Sequence, residues 1–192
     1  LAAPDCHARI AVVLTKADRC EADELERDLD RVRRLVGPDV RVIVTSSAEG
    51  RGLDEVRACV PAGSCAMILG ESGAGKSTLL LQMCASAGAG RKILYVTGEE
   101  SQRQLKLRAM RLGVDGENIY VLAETDIDSI IAAIDELKPD IAIIDSVQTV
   151  SDSGVASAPG SITQVRECTM RIMRVTKEKG LTVFVVGHIN KE

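Results

Sequence analysis

Residues 70–78 read Gly70-Glu71-Ser72-Gly73-Ala74-Gly75-Lys76-Ser77-Thr78, the spacing GxxxxGK[ST]. This pattern suits a polyphosphate. Gly70, Gly73 and Gly75 let a loop that also contains Glu71, Ser72 and Ala74 wrap closely, so that several backbone N–H groups converge on anionic oxygens. A helix opening directly behind the loop adds the field of its N-terminus. Lys76 is expected to reach the β- and γ-phosphates, the Ser77 hydroxyl to coordinate magnesium, and Thr78 to pack or to contact the α-phosphate. The competing reading, a glycine-rich turn with an accidental lysine, is disfavoured by an apolar strand-like run before the loop and a helical pattern after it.

Two further groups could complete such a site. Ile141-Ala142-Ile143-Ile144-Asp145-Ser146 is a buried strand that ends on a carboxylate, which is costly unless the charge is used. Asp145 is expected to hold the hydration shell of magnesium opposite Ser77, with the Ser146 hydroxyl assisting; its alternative is a turn cap. Glu99 and Glu100 follow another apolar run through Thr97-Gly98. Glu99 is the candidate base that polarises water for attack on the γ-phosphate, although one of the pair could instead serve the helix beginning near Ser101. His188 and Asn190 lie beyond a third run and could sense the γ-phosphate, and Lys191 could neutralise charge at a neighbouring subunit's site. Solvated loop residues are the alternative for all three.

The elements that must hold these residues alternate regularly. Apolar runs at 10–14, 42–45, 65–69, 93–96, 119–122, 141–144 and 182–186 read as strands. Helical patterns fall between them. One spans 22–36 with Leu25, Leu29, Val32 and Val36 on one face. A second covers 126–137 with Thr125 as N-cap and Ile127, Ile130, Ile131 and Ile134 inward. A third covers 164–176 with Val165, Cys168, Ile172 and Val175 inward, and a short one lies at 52–59. The pattern predicts an α/β fold: a three-layer P-loop NTPase with a mostly parallel sheet of about seven strands and helices on both faces. At 192 residues a single domain is expected, with 1–64 as one segment and 65–192 as the other. The Ser-, Gly- and Ala-rich stretch 151–161 is the one long loop, at a strand end where α/β ligand sites gather.

Composition narrows the partners. A net charge of −4 gives no electrostatic footprint for nucleic acid, and Tyr95, Tyr120 and Phe184 are the only aromatics, too few for a base-stacking platform. The six cysteines are scattered without a CxxC pair, so neither a zinc site nor a disulfide scaffold is expected, and Cys65 and Cys168 read as small buried hydrophobes. No run is long enough to span a membrane and no signal peptide is visible, so a cytoplasmic protein is expected. The chain starts without Met and reads as a trimmed or engineered piece.

From about Gly70 onward the sequence resembles the ATPase core of the RadA/Sms DNA-repair proteins, relatives of RecA. The shared text is GKSTLLLQ at 75–82, YVTGEES at 95–101, QLKLRAMRLG at 104–113, LKPDIAIIDSVQT at 137–149, APGSITQVREC at 158–168 and VFVVGHINKE at 183–192. The resemblance implies an ATP-driven, ring-forming motor in recombination. Within it Glu99 is similar to the catalytic carboxylate, Asp145 to the Walker B aspartate, Gln148 to part of a relay toward DNA and Lys191 to a residue reaching a neighbouring subunit. Nucleic acid enters as a partner only through this resemblance.

The front resembles a different family, the circularly permuted ribosome-assembly GTPase RsgA, through VVLTKAD at 12–18, TSSAEGRGLDEVRA at 45–58 and MILGESGAGKSTL at 67–79. That resemblance implies guanine recognition: Asp18 accepting from the base, Lys16 lying over it, Ser47 and Ala48 supporting its O6 side. Together the two resemblances imply a chimera joined between about Ser72 and Leu81, binding magnesium with GTP/GDP or ATP/ADP. They also imply one continuous sheet in the order 93–96, 118–122, 141–145, 65–69, 182–186, 9–14, 42–45. In that order the appended front strands would weaken any ring assembly. A nucleotide-binding scaffold without turnover is the alternative to an NTPase.

Overall fold

The computed structural model describes residues 8–86, 90–114 and 117–189, so Asn190 and Lys191 lie outside the described residues. The chain separates into two compact units, the first running to Cys59 and the second beginning at Val60.

In the first unit β1 (Ala11–Leu14) leads through a 3-10 turn (Ala17–Arg19) to α1 (Ala22–Val36), then to β2 (Arg41–Val44) and α2 (Leu53–Ala58). β1 and β2 pair in parallel, Ala11 opposite Arg41 and Leu14 opposite Val44. The stripe Leu25, Leu29, Val32 and Val36 is half-buried while the rest of α1 is exposed, as its period of 3.6 dictates. α2 is preceded by its N-cap Gly52, whose φ of 74° no branched side chain tolerates and where a Cβ would fall 2.2 Å from the Val44 carbonyl oxygen.

The second unit runs β3 (Cys65–Gly70), α3 (Lys76–Ser86), β4 (Ile93–Thr97), α4 (Gln102–Arg111), β5 (Ile119–Ala123), α5 (Ile127–Leu137), β6 (Ile141–Asp145), α6 (Ile162–Lys179) and β7 (Thr182–His188). Its five strands are all parallel, in the order β3-β7-β6-β4-β5. Strands buried on both faces should be apolar throughout, and β4 is buried at every residue. The edge strands β3 and β5 instead alternate, with Met67 and Leu69 exposed on β3 and Tyr120 exposed on β5.

Around the sheet, Ile127, Ile130 and Ile134 of α5 and Cys168, Ile172 and Val175 of α6 pack with Val96, Ala142, Ile144, Val183 and Val185 into one core. Each fully buried Ile, Leu or Val in such a core contributes about 1.5–3 kcal/mol relative to exposure. α3 has buried Leu79, Leu80, Leu81, Met83 and Cys84 on successive faces, so it is enclosed on more than one side. That enclosure fixes the direction in which its N-terminus points.

The chain has the expected three-layer α/β architecture with seven parallel strands, but they form sheets of five and two. The expected order fails at three places. β7, not the loop-bearing β3, lies beside β6; β4 lies inside β5; and β1 and β2, which pair with each other as expected, form a sheet of their own instead of continuing from β7. The apolar runs alone did not rank burial, and β4 buried throughout belongs inside the half-exposed β5. The steric argument against ring assembly assumed the continuous order and loses that basis. Three local expectations shift too. Asp126, not Thr125, caps α5, its Oδ2 accepting from the Ser129 N–H at 2.9 Å. α6 starts at Ile162 because the Ser161 hydroxyl accepts from the Gln164 N–H at 3.3 Å. Cys65 is half-buried on the edge strand, whereas Cys84 and Cys168 are buried; the five described cysteines are free thiols.

Candidate active site

β3 ends at Gly70, and the chain turns through 71–75 into α3. Gly73 and Gly75 hold φ of 77° and 88°, the left-handed region, so glycine is required at both. At Gly70 a Cβ would make only ordinary contact, 3.5 Å from Lys76 Cδ. The turn is closed by the Ala74 N–H donating to the Glu71 carbonyl at 3.2 Å, and the helix by the Leu79 N–H donating to Gly75 at 2.9 Å. Lys76 is buried, 6% exposed, and its ammonium donates to the carbonyls of Gly70 at 2.7 Å and Glu71 at 2.8 Å. Burial pulls its pKa below the ordinary lysine value, and the carboxylates of Asp145 and Glu99 partly offset this.

Four neighbouring strands bring their carboxyl ends to the same edge of the sheet. Gly70 on β3 is in register with His188 on β7, and Thr97 on β4 with Asp145 on β6. Lys76 Nζ lies 3.4 Å from His188 Nδ1, and His188 Nε2 lies 3.6 Å from Glu99 Oε1. Because an ammonium only donates, Nδ1 facing it accepts, while Nε2, on the Glu99 side, is buried without a hydrogen-bond partner among the described residues. The Ser146 hydroxyl donates to Glu99 Oε1 at 3.0 Å, across an Asp145–Ser146 peptide that is cis. Gln148 donates to the His188 carbonyl at 3.1 Å, while its own Oε1 is buried without a hydrogen-bond partner among the described residues.

The two glutamates diverge. Glu100 is ion-paired with Arg108 on α4, and its N–H donates to the Thr97 hydroxyl at 3.0 Å. Glu99 is half-exposed and faces Ser146 and His188. Neither caps α4, because Ser101 and Gln104 form a reciprocal capping box there. Close approach of the strand ends requires Gly98. Its N–H donates to the Asp145 carbonyl at 3.1 Å, and a Cβ would lie 2.0 Å from Thr149 Oγ1.

Sequence reasoning missed Tyr95. It is 1% exposed in the middle of β4, and its hydroxyl donates to Asp145 Oδ2 at 2.6 Å and accepts from the Ser77 hydroxyl. Burial, then the Asp145 charge, drive its pKa far up, so it stays a protonated donor. The signal was available: a phenol between Leu94 and Val96 in an otherwise apolar run must find a partner for its hydroxyl. Arg108 was missed for a different reason, since a helical arginine ordinarily reads as a solvated face.

The residues fit a hydrated magnesium ion. Ser77 and Asp145 are hard oxygen donors that meet at one phenol, and no cluster of three or more His, Cys, Asp or Glu competes for a metal among the described residues. Magnesium suits one or two protein oxygens plus substrate phosphates.

Asp18 is engaged by a neighbouring loop of the front unit. Lys16 is exposed with φ of 61°, Ser47 is half-buried and Ala48 exposed in the turn at 47–50. Asp18 Oδ1 accepts from the Ser46 hydroxyl at 2.7 Å, the Ser46 hydroxyl accepts from the Glu49 N–H at 3.2 Å, and the Ala17 N–H donates to the Thr45 carbonyl at 3.1 Å. The carboxylate therefore fastens one loop to another; it does not cap α1, whose N-cap is Glu21.

A parallel sheet with a buried lysine on a glycine turn, an aspartate at a neighbouring strand end and a glutamate beside it defines a P-loop nucleoside triphosphatase domain, of the ATP-binding kind related to RadA. The family described as AAA domain matches residues 54–192, and the chain belongs to that family. It is 50% identical over 131 residues to the DNA repair protein RadA of Bacillus subtilis, covering 68% of this chain and 29% of that protein. The DNA repair protein RadA of Halalkalibacterium halodurans is 41% identical over 180 residues, 93% of this chain and 35% of that protein. The chain thus spans about a third of the length of these relatives. A KaiC-like protein of Pyrococcus horikoshii superposes with a TM-score of 0.56 at 19% identity, over 69% of this chain and 64% of that one, a likeness of fold.

The alignment covering 93% of the chain overturns the two-parent reading. One RadA matches the front together with the loop half, so the chain is not a chimera with an RsgA-like segment. Guanine recognition by Lys16, Asp18, Ser47 and Ala48, and with it GTP/GDP, rested on that resemblance and falls with it. The resemblance misled because TKAD and SSAEGRGLDE are short and polar, and a loop-to-loop clasp such as Asp18–Ser46 draws on the same residue types as a base-binding loop.

Proposed function

We propose that this domain binds Mg-ATP at 70–78 and hydrolyses its β–γ bond, slowly in isolation, as the motor part of a DNA-repair ATPase. The observation that carries the reading is the line of chemistry along one sheet edge: Lys76 and Ser77 behind β3, His188 on β7, Asp145 on β6 and Glu99 after β4. Backbone N–H groups of 71–75 and the N-terminus of α3 hold the phosphates. Lys76 exchanges its two carbonyl acceptors for β- and γ-phosphate oxygens. Ser77 and Asp145 hold magnesium, which when bound neutralises charge on the phosphates. Glu99, oriented by the Ser146 hydroxyl, takes a proton from the attacking water. Glu100, neutralised by Arg108, does not. DNA as partner is supported by the name of the RadA relatives, with Gln148 as a link from the site toward it.

Lys76→Ala tests the phosphate assignment. Two charge-assisted hydrogen bonds at about 1.5–3 kcal/mol each predict at least a hundredfold loss of Mg-ATP affinity, read by titration with a fluorescent ATP analogue. Unchanged affinity would remove Lys76 from the phosphate site.

A further inference from the structure

Tyr95 sits where two metal-facing oxygens need a common partner. A serine hydroxyl can present its lone pair to a cation only when its proton goes to another acceptor. Ser77 gives that proton to the Tyr95 oxygen, and Tyr95 gives its own to Asp145 Oδ2 at 2.6 Å. The chain Ser77–Tyr95–Asp145 therefore runs one way and ends on Asp145 Oδ2, leaving Asp145 Oδ1 for the metal's hydration shell. Tyr95 is held rigidly: every residue of β4 is buried, and β4 is flanked on both sides by parallel neighbours in fixed register. Its position on β4 also ties Ser77, from the helix behind β3, to a carboxylate at the end of β6.

We infer that Tyr95 is a positioning residue for magnesium, fixing the spacing and proton direction of Ser77 and Asp145 before the ion arrives. The inference rests on the assignment of Asp145 and Ser77 to magnesium proposed above. Tyr95→Phe keeps the ring that fills the core and deletes only the shared hydroxyl. It raises the Mg2+ concentration for half-maximal binding of a fluorescent ATP analogue roughly 10-fold, the scale of one hydrogen bond to a charged group. Metal-free binding of the analogue stays at the wild-type value. A purely structural tyrosine would lower the melting temperature and leave the Mg2+ midpoint in place; that result overturns the inference.

Asp145→Asn separates the two layers. If it abolishes the Mg2+ dependence while Tyr95→Phe leaves it untouched, only the positioning role fails. If Asp145→Asn itself retains the wild-type dependence, the metal assignment fails and the positioning role with it. Should Tyr95→Phe not fold, fluorine resonance gives the answer in protein with the phenol intact. The chain has two tyrosines, so 3-fluorotyrosine in a Tyr120→Phe background reports on Tyr95 alone. Its signal shifts on adding Mg2+ with ATP and not on adding ATP in chelator; a signal indifferent to Mg2+ overturns the inference.

Discussion

Adjacent carboxylates are commonly treated as interchangeable, yet Glu99 and Glu100 stand in different environments. Glu100 is paired with Arg108 and fastened through Thr97, whereas Glu99 receives the Ser146 hydroxyl at 3.0 Å and faces His188. Glu99→Gln should lower single-turnover ATP hydrolysis roughly 100- to 10,000-fold with ATP affinity kept, the usual span for a lost general base. Glu100→Gln should retain most of the rate and lose some melting temperature through Arg108. Equal losses in the two variants would dismiss the assignment. At this scale the motif residues were legible because their types and spacing are dictated by phosphate chemistry. The pairing of Glu100 and the burial of Tyr95 were not, because each depends on which side chain from a distant segment reaches the strand end.

Elements behave differently, since period and caps are local. The half-buried stripe of α1 and the inward isoleucines of α5 follow from a 3.6-residue period that any reader of the sequence can count. What the period hides is a polar residue on an apolar face. Gln164, on the inner side of α6 and 2% exposed, holds the loop before it. Its Oε1 accepts from the Asp152 N–H at 2.9 Å, and its Nε2 donates to the carbonyls of Asp152, Val155 and Ser157 at 3.0, 3.1 and 3.0 Å. Arg171, paired with Asp128 and Asp152, holds the same segment from outside. Gln164→Ala should free 152–157, visible as faster amide hydrogen exchange there and a stability loss of about 1–3 kcal/mol. Gln164→Glu should do at least as much damage, because it sets a carboxylate oxygen against three carbonyls. A harmless Gln164→Glu would show that the loop is held by other means.

At the scale of the molecule, the architecture was readable and the order of strands was not. Parallel connectivity constrains neighbours through burial, and seven short apolar runs differ too little in composition to rank. The division at Cys59 carries its own expectation. Asp18→Ala removes the Ser46 clasp within the first unit, so it should lower the melting temperature while ATP and ADP titrate as before; loss of nucleotide affinity would mean that the front takes part in binding. The edge strand β3 exposes Met67 (46%) and Leu69 (58%), an aggregation liability of the kind a charge relieves. Met67→Lys should raise the concentration at which light scattering sets in. The placement of β7 between β3 and β6 has a broader consequence. Two inter-strand intervals, roughly 9–10 Å, separate the phosphate loop from the aspartate. That gap between strands is a ruler made of backbone hydrogen bonds, within which a side chain such as Tyr95 only positions the groups at the two ends. Point substitution can therefore change how firmly the triphosphate is gripped, but the distance over which the site measures its substrate belongs to the sheet.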